Sequence, residues 1–482
     1  MHFFSPVNRQ YGLLALLAGL ITACAPYEDP VWRSNPPGSG PGSVPGGSLP
    51  PMQQPAPLQR IFLENDKIRL GVDLNLGGGI TYLSEVNQPN MVNNYDYGRQ
   101  IQNSIYSGPI PFSINGQQTA PAWTGGGWNP IQVGDHRNNP ARFLDYRQDS
   151  TRIYVKSAGI QWGMNNVPGE CIMEHWYELR GNTIHVRSRT TVQRADTTFY
   201  NGRIQETPAV YLNGPYFRFV TYAGLRPFTN DAVSEKIYED KTELRYCTEN
   251  WVAMLNQQGK GVGLWKANEY QFGAGFYDRH GRGEEFDNPT AFASGAPIEQ
   301  IDHNGVFDYE YVLIVGTLTD IRQFAYSQPR PRTKPDFFFR NSRQGWSYYN
   351  TRDQGWPVRN NELAVRWSGT IADRFRVASP FLFIPAGDTP KIYIQAAFST
   401  NANTARLVWQ RSDDVNFQPL PGNYLDFPVI SDGQNRVYEV DVSRAAGWRG
   451  VISRIGIEAT QPDTVKTGGR VMRLRSVTVT RP

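Results

Sequence analysis

Residues of like polarity recur at every second position along much of this chain, and that spacing confines it to strands. In the run Asn182 to Thr190, Ile184, Val186 and Ser188 alternate with His185, Arg187 and Arg189. Further on, Ile392, Ile394 and Ala396 alternate with Tyr393 and Gln395. Successive side chains of a strand point to opposite faces, so each run would bury one face and wet the other. Helical spacing is nearly missing. The best helical candidate is Thr319 to Tyr326, where Thr319 would cap a short helix with Ile321, Phe324 and Ala325 on one side. Gly and Asn punctuate the alternating runs, which argues for antiparallel sheets joined by long loops. The chain is expected to be all-β.

Composition divides it. Pro26 to Pro57 is dominated by Pro, Gly and Ser, so it cannot bury enough apolar surface to fold and reads as a tether. From Ser327 to Asp336, Pro329, Pro331 and Pro335 are interspersed with Arg330, Arg332 and Lys334, a pattern that suits a linker. The expected division is a tether over 24–57, a large domain over 58–326, a linker over 327–336 and a smaller domain over 337–482. Both domains are long enough to bury a core of their own.

Ahead of the tether, Gly12 to Ile21 is apolar but too short to span a bilayer, with His2 and Arg9 before it. The segment ends Leu20-Ile21-Thr22-Ala23-Cys24 and resembles the lipobox of bacterial lipoproteins, in which the cysteine becomes the lipid-bearing first residue. That resemblance implies removal of residues 1–23, lipidation at Cys24, and a place in the bacterial cell envelope facing the periplasm or the exterior. No second apolar run approaches eighteen residues, so the expected membrane contact is through lipid. The formal net charge is +4, and losing Arg9 lowers it by one. That balance argues against a nucleic-acid partner, which needs a basic face or stripe. Of three cysteines, Cys171 and Cys247 remain after lipidation. They would form one disulfide or stay as two buried thiols, and neither has the near Cys or His partner of a metal site.

In the large domain, Gly77-Gly78-Gly79-Ile80-Thr81-Tyr82-Leu83 precedes the polar, aromatic run Asn93-Asn94-Tyr95-Asp96-Tyr97-Gly98-Arg99-Gln100-Ile101-Gln102. Together with Met173 to Leu179, Gln205 to Tyr211 and Thr248 to Trp251, these stretches resemble the galactose mutarotase-like β-sandwiches of carbohydrate-active proteins. The resemblance covers most of Leu58 to Tyr326. It implies a large antiparallel supersandwich and a sugar ligand, and it specifies a fold better than a reaction. Aldose 1-epimerases of similar fold pair histidine with glutamate, which would give His175 the imidazole part beside Glu206 or Glu249.

The residues support a sugar-facing surface on their own chemistry. If Gly98 to Tyr106 is a strand, Gln100, Gln102, Ser104 and Tyr106 share one face, and such a row either meets sugar hydroxyls or simply faces water. Trp123 and Trp128 flank three glycines, which makes either a mobile stacking loop or two core residues. Tyr95 lies in the aromatic run. Cleavage of a glycosidic bond needs an acid and a base, usually carboxylates. Glu206, just ahead of Thr207-Pro208, is the first candidate, followed by Asp96 and Glu249. Arg99 would hold Asp96 ionised, bind a substrate carboxylate, or lock a turn as a salt bridge. Asp135, in Gly134-Asp135-His136, is a further candidate contact. No Gly-x-Ser-x-Gly elbow, His-Glu-x-x-His pair, phosphate loop or dinucleotide fingerprint stands in a fitting context, so neither metal nor cofactor is expected.

The smaller domain has strand-like runs at Phe381 to Ile384, Lys391 to Ala397, Ala405 to Gln410, Asn435 to Val442, Ile452 to Glu458 and Val471 to Thr480, a spacing that suits a β-sandwich. Its closing stretches, Arg454 to Glu458 and Gly469 to Val477, resemble the carbohydrate-binding-module jelly rolls appended to glycan-active enzymes. Trp346, Tyr348, Tyr349, Trp356, Trp367 and Trp409 are candidate platforms, Trp367 being the better core residue and Trp356 the better loop residue. The expected activity is glycoside hydrolysis of a polysaccharide or oligosaccharide; the alternative is a glycan-binding lipoprotein without catalysis.

Overall fold

The computed structural model describes residues 58–482 except 368–374, 401, 415–416, 418–421 and 461–470. Cys24 and the 24–57 tether lie outside the described residues. The protein is all-β, with two regions of antiparallel sheet. It opens with a three-stranded sheet of Arg60–Glu64, Ile68–Asp73 and Gly79–Glu85. A fifteen-stranded sheet follows. Its first half runs from Arg218–Thr221 and Trp251–Leu255 through Lys260–Trp265, Val306–Thr317, Thr183–Val192, Pro168–Arg180 and Arg152–Gln161. Two short strands, Pro130–Ile131 and Gln102–Ser104, carry it on to Glu206–Asn213, Thr290–Gly295, Gln271–Tyr277 and Lys241–Tyr246.

The alternation explains why the two halves of this sheet face each other across one core. Ile153, Tyr177, Val186 and Leu313 from the first half share one core with Val210, Phe272, Phe276 and Ala293 from the second. The three-stranded sheet adds Leu63, Leu70, Val72 and Leu83 to the same core. Burying each such side chain contributes about 1.5–3 kcal/mol, which drives the two halves together. His185 and Arg187 stand on the opposite face, as the alternation requires.

The helix spans Leu318–Ser327, and its cap is Thr317 rather than the expected Thr319. Thr317 accepts from the Asp320 backbone N–H, while the Asp320 carboxylate accepts from the Thr317 N–H at 2.8 Å. This capping box fixes the start two residues early, because only Thr317 has an acid three positions on. Ile321 and Ala325 are buried against Trp251–Leu255 and Val306–Thr317, with Phe324 packed against the same cluster.

Beyond the helix, two further sheets pack around a second core that includes Leu363, Ile394, Leu407, Trp409, Ile457 and Leu474. The strands Lys391–Ser399, Thr404–Arg411, Arg436–Asp441, Val451–Ala459 and Val471–Thr478 lie close to their expected positions. The expected run at Phe381 shrinks to Ile384–Pro385. Asp336, placed at the end of the linker by sequence, already belongs to the strand Asp336–Phe338, which pairs with Val471–Thr478. The two regions meet through a cluster of Tyr270, Phe383 and Val451, and Tyr270 also holds the connecting segment, its phenol donating to the Arg332 carbonyl at 3.1 Å. Arg343 of the second region is paired with Asp302 of the first at 2.6 Å.

Candidate functional site

Glu206 opens its strand opposite Ser104, and a register shift between Glu206 and Ala209 interrupts the pairing with Gln102–Ser104. Such a bulge re-aims the side chains beside it. The Glu206 carboxyl is 3% exposed. Burial pushes its pKa from the usual 4.5 up to about 7, against the opposing effect of hydrogen bonds from Tyr106 and Ser104. Among the described residues its Oε1 has no hydrogen-bond partner, and neither do the buried phenol oxygens of Tyr211 and Tyr277. Buried polar atoms left this way call for water or a ligand group.

Tyr211 and Tyr277 stack with ring centroids 6.3 Å apart, and Phe292 lies 4.9 Å from Tyr211. These rings stand on the outward face of the second half-sheet, since Val210, Leu212 and Phe276 take the core face. Burial raises both phenols, and the charges of Glu206 and Asp96 raise them further. Both carboxyls therefore act on the same pair of rings. Asp96 is fixed from its own side, accepting from the Gly98 N–H at 2.8 Å and pairing with Arg99 Nε at 3.2 Å. Arg99 is itself anchored on Thr290 Oγ1 at 3.0 Å, with its guanidinium 4.8 Å from the centre of the Tyr95 ring and 5.8 Å from that of Tyr277. Tyr95, Asp96, Arg99, Tyr106, Glu206, Tyr211 and Tyr277 thus form one cluster. A buried carboxyl that holds its proton near neutrality has the make-up of a general acid, while Asp96, ion-paired to Arg99, is the second carboxylate near the tyrosine pair.

Several expected residues lie elsewhere. The strand expected over Gly98 to Tyr106 is confined to Gln102–Ser104. Gln100 donates to the Asp96 carbonyl at 2.6 Å, while Gln102 donates to the Tyr97 carbonyl and accepts from the Val133 N–H, so both brace loops. Glu249 is fully buried, with its carboxylate held by Arg322, Tyr326, Trp251 and the Phe228 N–H. Every side of it is occupied, which suits a structural clamp. Asp135 accepts from the N–H groups of Arg137, Asn139 and Asn166, and from the Asn139 amide, and so closes a turn.

His175 lies in the interior beside Ser188 Oγ at 3.1 Å and stacks on Tyr177. Burial drives its pKa down to about 3, so it is neutral at physiological pH. Trp128 is fully buried with its indole N–H on Glu170, and Trp123 is buried as well, so the glycines between them do not make a mobile loop. Trp356 is half-buried against Phe307 at the junction of the two regions. Trp346, Tyr348 and Trp409 are core residues, Tyr349 is partly buried, and the Trp367 side chain lies outside the described residues. Cys171 and Cys247 are free, buried thiols in separate core clusters.

Sequence reasoning missed Tyr277, although its strand alternates cleanly from Gln271 to Tyr277. Only knowledge of which half-sheet faces outward would single it out. No group of three or more His, Cys, Asp or Glu among the described residues is placed to hold a metal ion.

The fold and site define an all-β protein with a fifteen-stranded antiparallel sheet, a second sheet pair, and a buried carboxyl and tyrosine cluster on the outward face of the larger sheet. No protein-family model and no curated protein matches the chain. Among solved structures it is similar to a galactose mutarotase related enzyme from Lactobacillus acidophilus, at 11% identity and a TM-score of 0.33, covering 53% of this chain and 97% of the other. It is also similar to a galactose mutarotase-like protein from Lactobacillus casei, at 9% identity and a TM-score of 0.35, covering 53% of this chain and 100% of the other. An α-galactosidase from Geobacillus stearothermophilus gives 11% identity and a TM-score of 0.30, covering 55% of this chain and 42% of the other.

Proposed function

We propose that this protein is a lipid-anchored, extracytoplasmic glycoside hydrolase acting on a polysaccharide or oligosaccharide. In this reading Cys24 carries the lipid, 24–57 is the tether, 58–326 holds the reaction and 337–482 is a carbohydrate-binding-like jelly roll. Glu206 serves as the general acid and Asp96 as the second carboxylate, with Arg99 keeping Asp96 in place. The observation that carries the reading is the Glu206 carboxyl, whose pKa is pushed to about 7 beside the same tyrosine pair that Asp96 influences. A general acid must hold a proton at working pH and give it up to a leaving oxygen, and a buried carboxyl of this kind meets that need. Tyr211 and Tyr277 contribute hydroxyls without a partner among the described residues, groups that pair with sugar hydroxyls once the cluster opens.

One observation favours a second reading, a glycan-binding lipoprotein without catalysis. Glu206, Tyr211 and Tyr277 are 3%, 1% and 3% exposed, so a polymer does not reach the carboxyl in this arrangement of the cluster. The test is incubation of the protein with a polysaccharide panel, followed by assay of new reducing ends. Product from the wild type, lost in Glu206→Gln, is the expected result. Binding without product, unchanged by that substitution, would overturn the hydrolase reading.

A further inference from the structure

We infer that the outward face of the first half-sheet is a second glycan-binding site, a groove that takes an uncharged oligosaccharide chain and shares no residue with the Glu206 cluster. The groove encloses about 760 Å³ and crosses five adjacent strands, from Arg152–Gln161 through Pro168–Arg180, Thr183–Val192 and Val306–Thr317 to Lys260–Trp265. At about 4.8 Å between neighbouring strands, four spacings make it roughly 19 Å long, the reach of a chain of sugars rather than of one ring.

Strand register builds the groove in two rows. Tyr154, Trp176, Arg187 and Glu310 are successive cross-strand partners, and so are Arg152, Glu178, His185, Val312 and Trp265. The residues between them in sequence, such as Tyr177, Val186 and Tyr311, point into the core, so both rows face outward. The rows supply apolar rings at each end. Tyr154 and Trp176 are 5.2 Å apart and tilted by 39°, while Trp265 is held edge-on by Phe324 of the helix. Arg187 lies over the Trp176 ring, 4.8 Å from its centre. Aromatic rings of this kind, with polar groups close by, match the alternation of apolar faces and hydroxyl rims along a sugar chain.

Charge selects the class of chain. Glu178 is shared by Arg152 at 3.3 Å and Arg180 at 2.8 Å, and Asp308 is shared by Arg187 at 3.8 Å and Arg189 at 2.8 Å. The groove lining carries Arg147, Arg152, Arg180 and Arg187 against Asp149, Glu178 and Glu310, so its charge is close to balanced. A polyanion or polycation would meet groups of its own sign at every step, whereas hydroxyls can both donate to carboxylates and accept from guanidiniums.

The inference stands apart from hydrolysis at Glu206, and its test keeps the two separate. Affinity gel electrophoresis of the full chain is run in xylan, galactomannan and mixed-linkage β-glucan as neutral probes, with polygalacturonate as the anionic one. At least one neutral polymer should retard the wild type. Trp176→Ala and Trp265→Ala should each weaken that binding at least tenfold, while Glu206→Gln binds as the wild type does. Should Trp176→Ala not fold, Arg187→Ala removes a side chain that is 46% exposed and is expected to weaken binding in the same direction. Unchanged binding by folded Trp variants, retardation by polygalacturonate alone, or no retardation by any neutral polymer would overturn the inference. So would loss of binding in Glu206→Gln with the Trp variants unaffected, because it would place the captured chain at the other site.

Discussion

Arg322 Nε and Nη2 each lie 3.2 Å from an oxygen of the Glu249 carboxylate, tying the helix to the strand edge that begins at Trp251. Glu249 has no exposure, whereas Arg322 keeps some. Removing the guanidinium leaves a buried carboxylate with only neutral donors, a change that costs on the order of 3 kcal/mol. Arg322→Ala should therefore lower the midpoint of urea unfolding markedly. Activity or glycan binding per folded molecule should not move, and a selective loss of activity at unchanged stability would return Glu249 to the reaction.

The Glu206 carboxyl makes stability depend on pH in a defined window. Its pKa is about 7 folded against 4.5 for an unperturbed glutamate, so the folded state holds a proton that the unfolded state releases. Below 4.5 both states are protonated and burial of this group carries no ionic penalty. Between 4.5 and 7 stability falls as pH rises, and above 7 the loss levels off at roughly 3 kcal/mol. Glu206→Gln should remove this slope, so its gain in Tm over the wild type should be larger at pH 8 than at pH 4. If Glu206 is the acid of the reaction, wild-type activity should also decline on the alkaline side of about 7. His175→Gln should leave that limb in place, because His175 is already neutral there.

Strands were legible wherever one face is buried and the other wet, as in Thr183–Val192 and Lys391–Ser399, because a one-residue slip would expose the whole apolar set. Convergence was not legible. Glu249 and Arg322 are 73 positions apart, and Arg99 reaches Thr290 across 191, distances over which no local pattern carries information. Glu206 and Asp96 were nameable as carboxyls in distinctive settings, but the neighbours that separate Glu206 from Glu249 in character, Tyr106 and Ser104 against Arg322 and Tyr326, are brought in by tertiary packing. The outward rows of Tyr154, Trp176 and Trp265 were also hidden, since alternation shows that a residue faces away from a core without showing what stands beside it.

Gly127 shows why, of the two readings open for this glycine-rich stretch, core packing holds. It sits at φ 64°, and a Cβ there would lie 2.7 Å from the Ser107 carbonyl oxygen. Ser107 and Trp128 form a bridge whose close approach depends on that bare backbone. The glycine is a packing device that seats Trp128 in the core. Gly127→Ala should destabilise the fold by more than about 1 kcal/mol, since both the positive φ and the contact oppose a side chain. Thermal denaturation would check this, and an unchanged Tm would restore the loop reading.

Cys171 and Cys247 lie in different core clusters, and burial pushes the pKa of each thiol up to about 12. Thiolate is the reactive form, so both should resist a thiol reagent in the native state. In a Cys24→Ala variant, which removes the third cysteine, the native protein should label with essentially no thiol and the denatured, unreduced protein with two. Labelling by an aromatic disulfide reagent with and without guanidinium measures both states. If the denatured protein shows no thiol until a reductant is added, the cysteines are paired, which requires Cys171 and Cys247 to leave their separate clusters. If the native protein labels rapidly, at least one of those clusters opens to solvent, and the core around Met173 or Phe272 is looser than its burial indicates.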